Sequence, residues 1–312
     1  MAEQILTPER GGIDRAVALL EQGQPVALPT ETVYGLGADA ENADAVAAIY
    51  ALKSRPAFNP LIAHCHSVEM AFAQGHATQG AQRLAERFWP GPLTLVLDIS
   101  DSCRVCSLAR AGLETIALRV PAHPVMSEVL RRFGRPIVAP SANPSGKISP
   151  TSAAHVSADF GEKLGFILDG GPCEAGVEST IVDARGDTAV LLRQGPVSIE
   201  ELDTIWPGVQ SDLTSPDAPR APGQLLRHYA PNARLRLNAT RAEPGELLLG
   251  FGDIQGDATL SKDGDLVEAA ARLFDQLRLL DAKTGHIAVA PIPNIGIGAA
   301  INDRLNRAAE TK

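Results

Sequence analysis

The sequence is poor in cysteine, in aromatic residues and in long apolar runs. Its 312 residues include only four cysteines, too few for a disulfide-stabilised scaffold, and 4% aromatic residues. No stretch of about 18 apolar residues occurs, so we expect no membrane-spanning helix. The opening residues, MAEQILTPERGG, have neither the basic region nor the apolar run of a secretion signal. These features predict a reduced, cytoplasmic protein that does not bind a membrane.

Basic residues are also fewer than acidic ones. The chain has 28 Lys and Arg against 37 Asp and Glu, a net charge of −9. Non-specific binding of nucleic acid depends on Lys and Arg that neutralise phosphates, so strong direct binding of nucleic acid is not expected. The hydrophobic content of 45% is ordinary for a globular chain, and the length suits one large domain or two.

Two patterns associated with cofactors or metals lack the context that they need. Gly35-x-Gly37-x-x-Ala40 matches a dinucleotide fingerprint, but no carboxylate stands between Asp44 and Glu69 to hold a ribose. Cys103-x-x-Cys106 has no further ligands at a zinc-site spacing. We therefore predict neither a dinucleotide nor a zinc site, and no Walker A sequence is present.

Residues 1–207 alternate between helical and strand-like patterns, which predicts an α/β domain with a mixed sheet. Helices are predicted at 13–22, 43–52 and 79–88, and strands at 25–29, 61–65, 93–97, 115–120, 137–139, 166–168, 179–182 and 189–192.

After residue 207 the composition changes. The segment 208–233 is predicted to be a linker, because 211–222 is rich in Ser, Asp, Ala and Pro without apolar periodicity. Residues 234–312 are predicted to form a small α/β domain, with helices at 266–280 and 299–309 and strands at 234–237, 247–250 and 287–290. Its first two strands are too close in sequence for a crossover helix of a dozen residues, so a full doubly wound fold is not expected.

Polar loops follow several of the predicted strands and helices. Thr30-Glu31-Thr32, Lys53-x-Arg55 and the segment 141–147 are the clearest. Ligands of α/β sheets bind beyond the carboxyl ends of strands, so these loops are candidates for a site. Any one of them alone is better explained by helix capping or turn formation.

Taken together, the loops resemble the threonylcarbamoyl-AMP synthase (YrdC-like) family. The ordered motifs are 27–37 (ALPTETVYGLG), 53–55 (KSR), 59–61 (NPL), 89–94 (WPGPLT), 140–143 (PSAN), 176–180 (GVEST) and 192–196 (LRQGP). The segments 221–223 (APG) and 227–231 (RHYAP) resemble the linker of the two-domain members. The resemblance implies a YrdC-like twisted mixed sheet with flanking helices, joined by a linker that lies over the active site to a small C-terminal α/β domain.

The resemblance implies a reaction as well. L-threonine, bicarbonate or CO2, and ATP would give L-threonylcarbamoyladenylate and pyrophosphate, and tRNA threonylcarbamoyl-transferase proteins would use that product for N6-threonylcarbamoyladenosine. Mg2+ is expected with ATP, held mainly by its phosphates, since no metal-binding residues stand out. Positioning and cations would suffice, because no covalent nucleophile is required.

Site residues follow from the matched motifs. Lys53 and Arg55 are predicted to stabilise the transition state. The predicted ATP contacts are Arg55, Asn59, Thr115, Ser141, Asn143, Ser149, Arg193, Arg227, His228 and Tyr229. The predicted L-threonine contacts are Thr32, His64, Arg119, Ala139 and Ser179. The planar fork of Arg119 suits a carboxylate, and the two small hydroxyls suit the hydroxyl of the substrate.

The linker departs from the family pattern, and two other functions stay open. Gln224, Leu225 and Leu226 occupy positions where the family usually has Met-Lys-Tyr, which puts one ATP contact in doubt. The first alternative is an RNA-binding module of YrdC type, against which the net charge speaks. The second is an enzyme that forms a carbamoyl adenylate from carbamoyl phosphate, in which Arg119 and Ser179 would have no purpose.

Overall fold

The computed structural model describes residues 4–213 and 228–310, which form two separate sheets with their helices. The larger sheet and its helices are called the N-terminal domain. Its strands are Ile5–Leu6 (β1), Val26–Leu28 (β2), Gly35–Asp39 (β3), Ile62–His64 (β4), Gly75–His76 (β5), Leu93–Ile99 (β6), Thr115–Arg119 (β7), Ile137–Val138 (β8), Ile167–Leu168 (β9), Thr180–Asp183 (β10), Val190–Arg193 (β11) and Gln210–Ser211 (β12). Its α-helices are Gly12–Glu21 (α1), Ala43–Lys53 (α2), Val68–Gln74 (α3), Gln79–Phe88 (α4), Pro124–Phe133 (α5), Ala153–Phe160 (α6) and Ile199–Ile205 (α7).

The sheet of the N-terminal domain is mixed, which confirms the predicted fold class. The strand order is β1-β9-β2-β3-β8-β4-β7-β6-β10-β11-β12, with β5 paired to β6. Strand β7 is parallel to β4 and antiparallel to β6, while β10 is parallel to β6. The carboxyl end of β4 and that of β7 therefore lie side by side, with His64 directly opposite Arg119.

The local sequence fixes where α2 begins and ends, and with it the position of Lys53. The side chain of Asn42 accepts hydrogen bonds from the backbone N–H groups of Asp44 and Ala45, a typical N-cap. The helix ends at Ser54, which has a left-handed conformation (φ 51°). This end turns Lys53 towards the interior and starts the loop that carries Arg55.

The C-terminal domain is smaller and has helices on one face of its sheet. Its strands are Arg234–Arg236 (β13), Leu247–Gly250 (β14), Ala258–Thr259 (β15) and His286–Val289 (β16), and its helices are Leu266–Asp281 (α8) and Ile297–Ala309 (α9). The parallel order β13-β16-β14-β15 places β16 between the first two strands. Both helices share one apolar core with the sheet, and no helix joins β13 to β14, as the short connection predicted.

The dinucleotide-like pattern is part of a strand. Gly35 to Asp39 form β3, whereas a dinucleotide fingerprint lies in a turn before a helix. A Cβ atom at Gly35 would lie 2.9 Å from the Cβ of Ala139, so glycine permits this close approach of two strands. Cys103 and Cys106 are free thiols, and the described residues include no group of three or more His, Cys, Asp or Glu that could hold a metal ion.

The predicted linker is described only at its two ends. Strand β12 lies within the predicted linker but pairs with β11, so the N-terminal sheet continues to Ser211. Residues 214–227, which include Arg227 and the family departures at 224–226, lie outside the described residues. The domain boundaries at 207 and 233 stay a prediction. Within 4–213 and 228–310, no helix has the length and apolar character needed to cross a membrane.

Candidate active site

A cleft lies at the carboxyl ends of β4 and β7, and it brings together ten of the predicted site residues. These ten are Thr32, Arg55, His64, Arg119, Ala139, Ser141, Ser179, Arg193, His228 and Tyr229. The motifs come from segments far apart in sequence, and the sheet order places them around one space. We call this space the central cleft.

One end of the central cleft is built around Arg119. Its Nη1 donates a hydrogen bond of 3.0 Å to the hydroxyl of Thr32, and its Nε donates one of 3.1 Å to the carbonyl of Gly91. The hydroxyl of Thr32 also lies 2.8 Å from that of Thr30. These contacts hold the guanidinium in a fixed orientation, which favours recognition of a carboxylate.

Glu31 stands behind Arg119 and was not predicted as a site residue. Its Oε1 lies 2.7 Å from Nη2 of Arg119 and accepts a 3.1 Å hydrogen bond from the backbone N–H of Ala122. Burial opposes ionisation of Glu31, but Arg119 outweighs burial and lowers the pKa of the carboxyl. Glu31 therefore stays charged and orients Arg119. Its position in the sequence, directly before the predicted site residue Thr32, gave no sign of this role.

Two buried histidines line the central cleft, and both are neutral. Burial lowers the pKa of His64 to about 3, with Arg119 adding to the effect. Burial likewise lowers the pKa of His228 to about 3. Within residues 4–213 and 228–310, the Nδ1 atom of each ring has no hydrogen-bond partner. Each ring therefore presents an uncharged polar atom that a ligand can satisfy.

The low pKa values of His64 and His228 predict that the stability of the protein depends on pH. With a folded pKa of about 3 and an unfolded pKa of about 6.5, the unfolded chain binds more protons between these values. The free energy of unfolding should therefore fall as pH decreases from 6.5 to 3, by about 1.4 kcal/mol per pH unit for each histidine. Denaturant unfolding from pH 7 to pH 4.5 should show a shallower slope for His64→Asn, and the wild-type slope for the exposed control His286→Asn. An unchanged slope in His64→Asn would contradict the assignment.

A second polar corner contains Ser179. Its hydroxyl lies 2.7 Å from that of Thr94 and accepts a 3.1 Å hydrogen bond from Nη2 of Arg193. Nε of Arg193 donates to the backbone carbonyl of the same serine at 3.0 Å. Because Ser179 immediately precedes β10, which is parallel to β6, its side chain comes beside Thr94. Ser179 and Arg193 are thereby held as one unit.

Two guanidinium groups give the central cleft its positive charge. Burial lowers the pKa of Arg55 and that of Arg193 to about 10, so both stay protonated at neutral pH. Arg55 is oriented by backbone carbonyls, donating to Pro60 at 3.0 Å and to Asn59 at 3.3 Å. Two oriented cations beside Ser141 form a suitable site for a polyphosphate.

Lys53 occupies a different place from the one we expected. The sequence favoured an exposed lysine in the loop, but its side chain is buried (1% exposed) and does not line the central cleft. Nζ donates hydrogen bonds to the backbone carbonyls of Ser141 and Asn143. Burial, with Arg55 adding to it, places the pKa of Lys53 well below its usual range. Lys53 therefore holds the 141–143 loop in position.

Four more predicted residues lie outside the cleft lining. Asn59 and Asn143 are buried beside it, and each has an Oδ1 atom that no described residue bonds. Ser149 is buried and donates to Glu178 at 2.5 Å. Thr115 lies at the opposite end of β7 from Arg119, paired with Asp98. Of the whole predicted set, Arg227 alone falls in the part of the chain that is not described.

Glu178 is the functional residue that sequence reasoning missed most clearly. It lines the central cleft, and its two oxygens accept hydrogen bonds from Ser149 and from Nε of Arg304 in α9. It stands inside the GVEST motif, so the motif itself was the available signal. Burial opposes its ionisation, but Arg304 and Arg193 outweigh burial and lower its pKa.

The central cleft does not by itself form a magnesium site. Glu178 is the single carboxylate among the described residues that line it, and both of its oxygens are occupied. Mg2+ prefers several oxygen ligands in octahedral geometry, which one occupied carboxylate does not supply. The described residues of the central cleft therefore do not supply a complete set of ligands for Mg2+.

Comparison with known proteins identifies the family. A family model for Sua5, YciO and YrdC proteins, described as telomere recombination, matches residues 18–195, and the model "Threonylcarbamoyl-AMP synthase, C-terminal domain" matches 197–310. The threonylcarbamoyl-AMP synthase of Bacillus subtilis is 39% identical over 95% of this chain and 92% of its own length. The synthase of Pyrococcus abyssi is 40% identical over 94% of this chain and 93% of its own.

A solved structure agrees with these relatives. The crystal structure of P. abyssi Sua5 complexed with L-threonine has a TM-score of 0.91 and 36% identity, covering 98% of each chain. The fold is therefore shared over nearly the whole length of both chains. The chain belongs to the threonylcarbamoyl-AMP synthase family.

Proposed function

We propose that this chain catalyses the formation of L-threonylcarbamoyladenylate and pyrophosphate from L-threonine, CO2 or bicarbonate, and ATP. The observation that carries the proposal is that one cleft holds three oriented arginines, of which Arg119 would bind the amino-acid carboxylate and Arg55 and Arg193 the phosphates. An amino acid and a polyphosphate can therefore meet there. Family membership supports the same reaction.

L-threonine fits the Arg119 end of the cleft. Its carboxylate would pair with the guanidinium, and its hydroxyl would meet the hydroxyls of Thr32 and Ser179. His64, neutral and with Nδ1 unpartnered, offers one more polar contact, and Ala139 offers its backbone. The P. abyssi relative was crystallised in complex with L-threonine, which supports this choice of amino acid.

ATP fits the part of the cleft beside the two other cations, which adjoins the L-threonine end because Arg193 is hydrogen-bonded to Ser179. Arg55 and Arg193 would hold the phosphates, with Ser141, His228 and Tyr229 around them. Asn59, Asn143, Ser149 and Thr115 remain proposed ATP contacts, although they do not line the cleft as described. Mg2+ would accompany ATP as a counter-ion bound chiefly by the phosphates.

The chemistry needs no covalent enzyme intermediate. The threonine amine adds to CO2, forms an N–C bond and loses a proton, which gives a carbamate. A carbamate oxygen then attacks the α-phosphorus of ATP, and the bond to the β-phosphate breaks with release of pyrophosphate. Starting from bicarbonate, one water is also lost. Arg55 and Arg193 stabilise the charge that develops on the phosphoryl oxygens and on the leaving group.

Release of pyrophosphate tests the proposal. The purified chain should release pyrophosphate from ATP only when both L-threonine and bicarbonate are present. Release with carbamoyl phosphate in place of both would favour the carbamoyl-adenylate alternative, and release without L-threonine would contradict the proposal. The product is a mixed anhydride that a tRNA threonylcarbamoyl-transferase would consume in the next step.

Glu31 provides a separate test of the amino-acid end. Glu31→Gln leaves Arg119 buried without its anionic partner, so the free energy of unfolding should fall by about 3 kcal/mol. A bound carboxylate restores the missing charge, so saturating L-threonine should stabilise the variant more than it stabilises the wild type. Thermal unfolding with and without L-threonine measures both effects. The exposed control Glu200→Gln should behave as the wild type; equal stabilisation of Glu31→Gln and wild type would contradict this role of Arg119.

A further inference from the structure

The C-terminal domain inserts one arginine into the buried groups behind the central cleft. Arg304 of α9 is only 1% exposed. Its Nε donates to Oε2 of Glu178 at 2.8 Å, its Nη2 donates to the carbonyl of Gln194 at 2.9 Å, and its Nη1 donates to Asp303 at 2.7 Å. All three nitrogens of the guanidinium are thus engaged, two of them with the N-terminal domain.

Glu178 links Arg304 to the proposed ATP site. Its second oxygen, Oε1, accepts a 2.5 Å hydrogen bond from the hydroxyl of Ser149. Arg304, Glu178 and Ser149 therefore form a continuous buried chain that starts in the C-terminal domain and ends at a proposed ATP contact. Arg193 is the other cation that lowers the pKa of Glu178, so two arginines attract this carboxylate.

Arg304 also contacts a second proposed ATP residue. Its guanidinium carbon lies 5.1 Å from the centre of the Tyr229 ring, within cation–π distance. The ring of Tyr229 stacks on Phe274 of α8 at 5.7 Å, and it lines the central cleft. One side chain of the C-terminal domain therefore fixes both Glu178 and Tyr229.

The packing around Arg304, Glu178 and Ser149 leaves these side chains little room to move. Gly176, two residues before Glu178, has φ +70°, and a Cβ atom there would lie 2.2 Å from the carbonyl oxygen of Ala270 in α8. Val33 and Val177 of the N-terminal domain share one apolar core with α8 and α9. The two domains thus meet tightly at the GVEST motif, where Arg304 enters.

We propose that Arg304 is a positioning residue through which the C-terminal domain completes the ATP site; the proposal rests on the proposed function. A buried carboxylate must keep a cationic partner. Without Arg304, Glu178 would turn towards Arg193, which would withdraw its oxygen from Ser149 and disturb a cation that binds phosphate. Of the proposed L-threonine contacts, Arg119 and Thr32 are not among the groups that Arg304 contacts in the described residues. Ser179 is reached only indirectly, through its hydrogen bonds with Arg193.

The experiment compares Arg304→Met and Arg304→Lys with the control Arg272→Met, which loses only an exposed ion pair with Glu268 on α8. The KM for ATP and that for L-threonine are measured by pyrophosphate release. Arg304→Met should raise the KM for ATP by about 10–100-fold, the value of a hydrogen bond to a charged group. The KM for L-threonine should rise less than that for ATP, because Arg119 and Thr32 are not contacted and Ser179 is reached only through Arg193. Arg304→Lys should restore part of the loss, and the control should match the wild type.

A double variant shows whether Arg304 acts through Glu178. Glu178→Gln combined with Arg304→Met should raise the KM for ATP no further than the more severe single variant, because both changes break one chain. The double variant also buries no unpaired charge, so it replaces Arg304→Met if the latter does not fold.

Three results would contradict the inference. A folded variant with an unchanged KM for ATP would overturn it, and so would additive effects in the double variant. An equal rise in both KM values would assign Arg304 a general structural role. Wild-type protein that releases no pyrophosphate would overturn the proposed function and the inference with it, whereas an active wild type with an unaffected Arg304→Met overturns the inference alone.

Discussion

Arg55→Ala is expected to lower turnover by about 10²-fold or more, comparable with the loss of one oxyanion donor at about 3–4 kcal/mol. Arg55 lines the central cleft and is oriented by two backbone carbonyls, so in the proposed function its charge would face the phosphates of ATP. Lys53→Ala should lower turnover for another reason. Nζ of Lys53 donates hydrogen bonds to two backbone carbonyls, and the variant leaves both carbonyls without this donor. The free energy of unfolding should therefore fall by about 2–4 kcal/mol.

Measuring turnover and stability together separates these two roles. Arg55→Ala should keep more of the wild-type free energy of unfolding than Lys53→Ala does, because Arg55 lines the cleft whereas Lys53 is fully buried. Arg83→Ala and Lys163→Ala, both exposed, are the matched controls and should change neither quantity. Wild-type turnover in Arg55→Ala at saturating substrates would contradict the assigned site. Wild-type stability in Lys53→Ala would contradict the structural role of the lysine.

Rejection of L-valine is the second large effect that we expect. Valine has the shape of threonine without its hydroxyl, so it would bind without the hydrogen bonds that the threonine hydroxyl would make to Thr32 and Ser179. A site built to bind a substrate hydroxyl rejects the analogue that lacks it by about 10⁴–10⁵-fold in kcat/KM. L-serine, which lacks one methyl group, should be used only about 10–200-fold less well than L-threonine.

Pyrophosphate release with each of the three amino acids measures this discrimination. Thr32→Val should lose selectivity for threonine over valine, because it removes one of the two hydroxyls and keeps the volume. Thr188→Val, which changes a threonine away from the cleft, should keep wild-type selectivity. Equal kcat/KM for valine and threonine in the wild type would remove Thr32 and Ser179 from the roles assigned to them.

Helices and strands whose apolar residues recur at a regular period could be predicted from the sequence. The bounds of α4 and β14 agree with the predicted 79–88 and 247–250, because each carries a complete apolar pattern. Strand β3 was missed, since its two glycines resemble a turn. Helix α5 was missed although Pro124 at its start and Gly134 after its end are ordinary boundary signals.

The residues that line the cleft could be predicted where they belong to a sequence motif. The hydrogen-bond and charge partners of these residues could not be predicted. Lys53 at the end of a helix suggests exposure, and only the course of the 141–143 loop over it reveals burial. The partner of Glu178 lies 126 residues away in another domain, a separation that no local pattern reports. Charge partners in different domains are brought together by tertiary packing, and tertiary packing cannot be deduced from residue types and their spacing.

The measurement that tests the central claim most directly follows the atoms of all three substrates into one product. The purified chain is incubated with ATP, 14C-labelled L-threonine and 13C-labelled bicarbonate, and the adenylate product is isolated and analysed by mass spectrometry. We predict one compound that contains AMP, the labelled threonine and the labelled carbonyl carbon, formed in equal amount with pyrophosphate. An adenylate without the threonine label, or pyrophosphate without a labelled adenylate, would contradict the account.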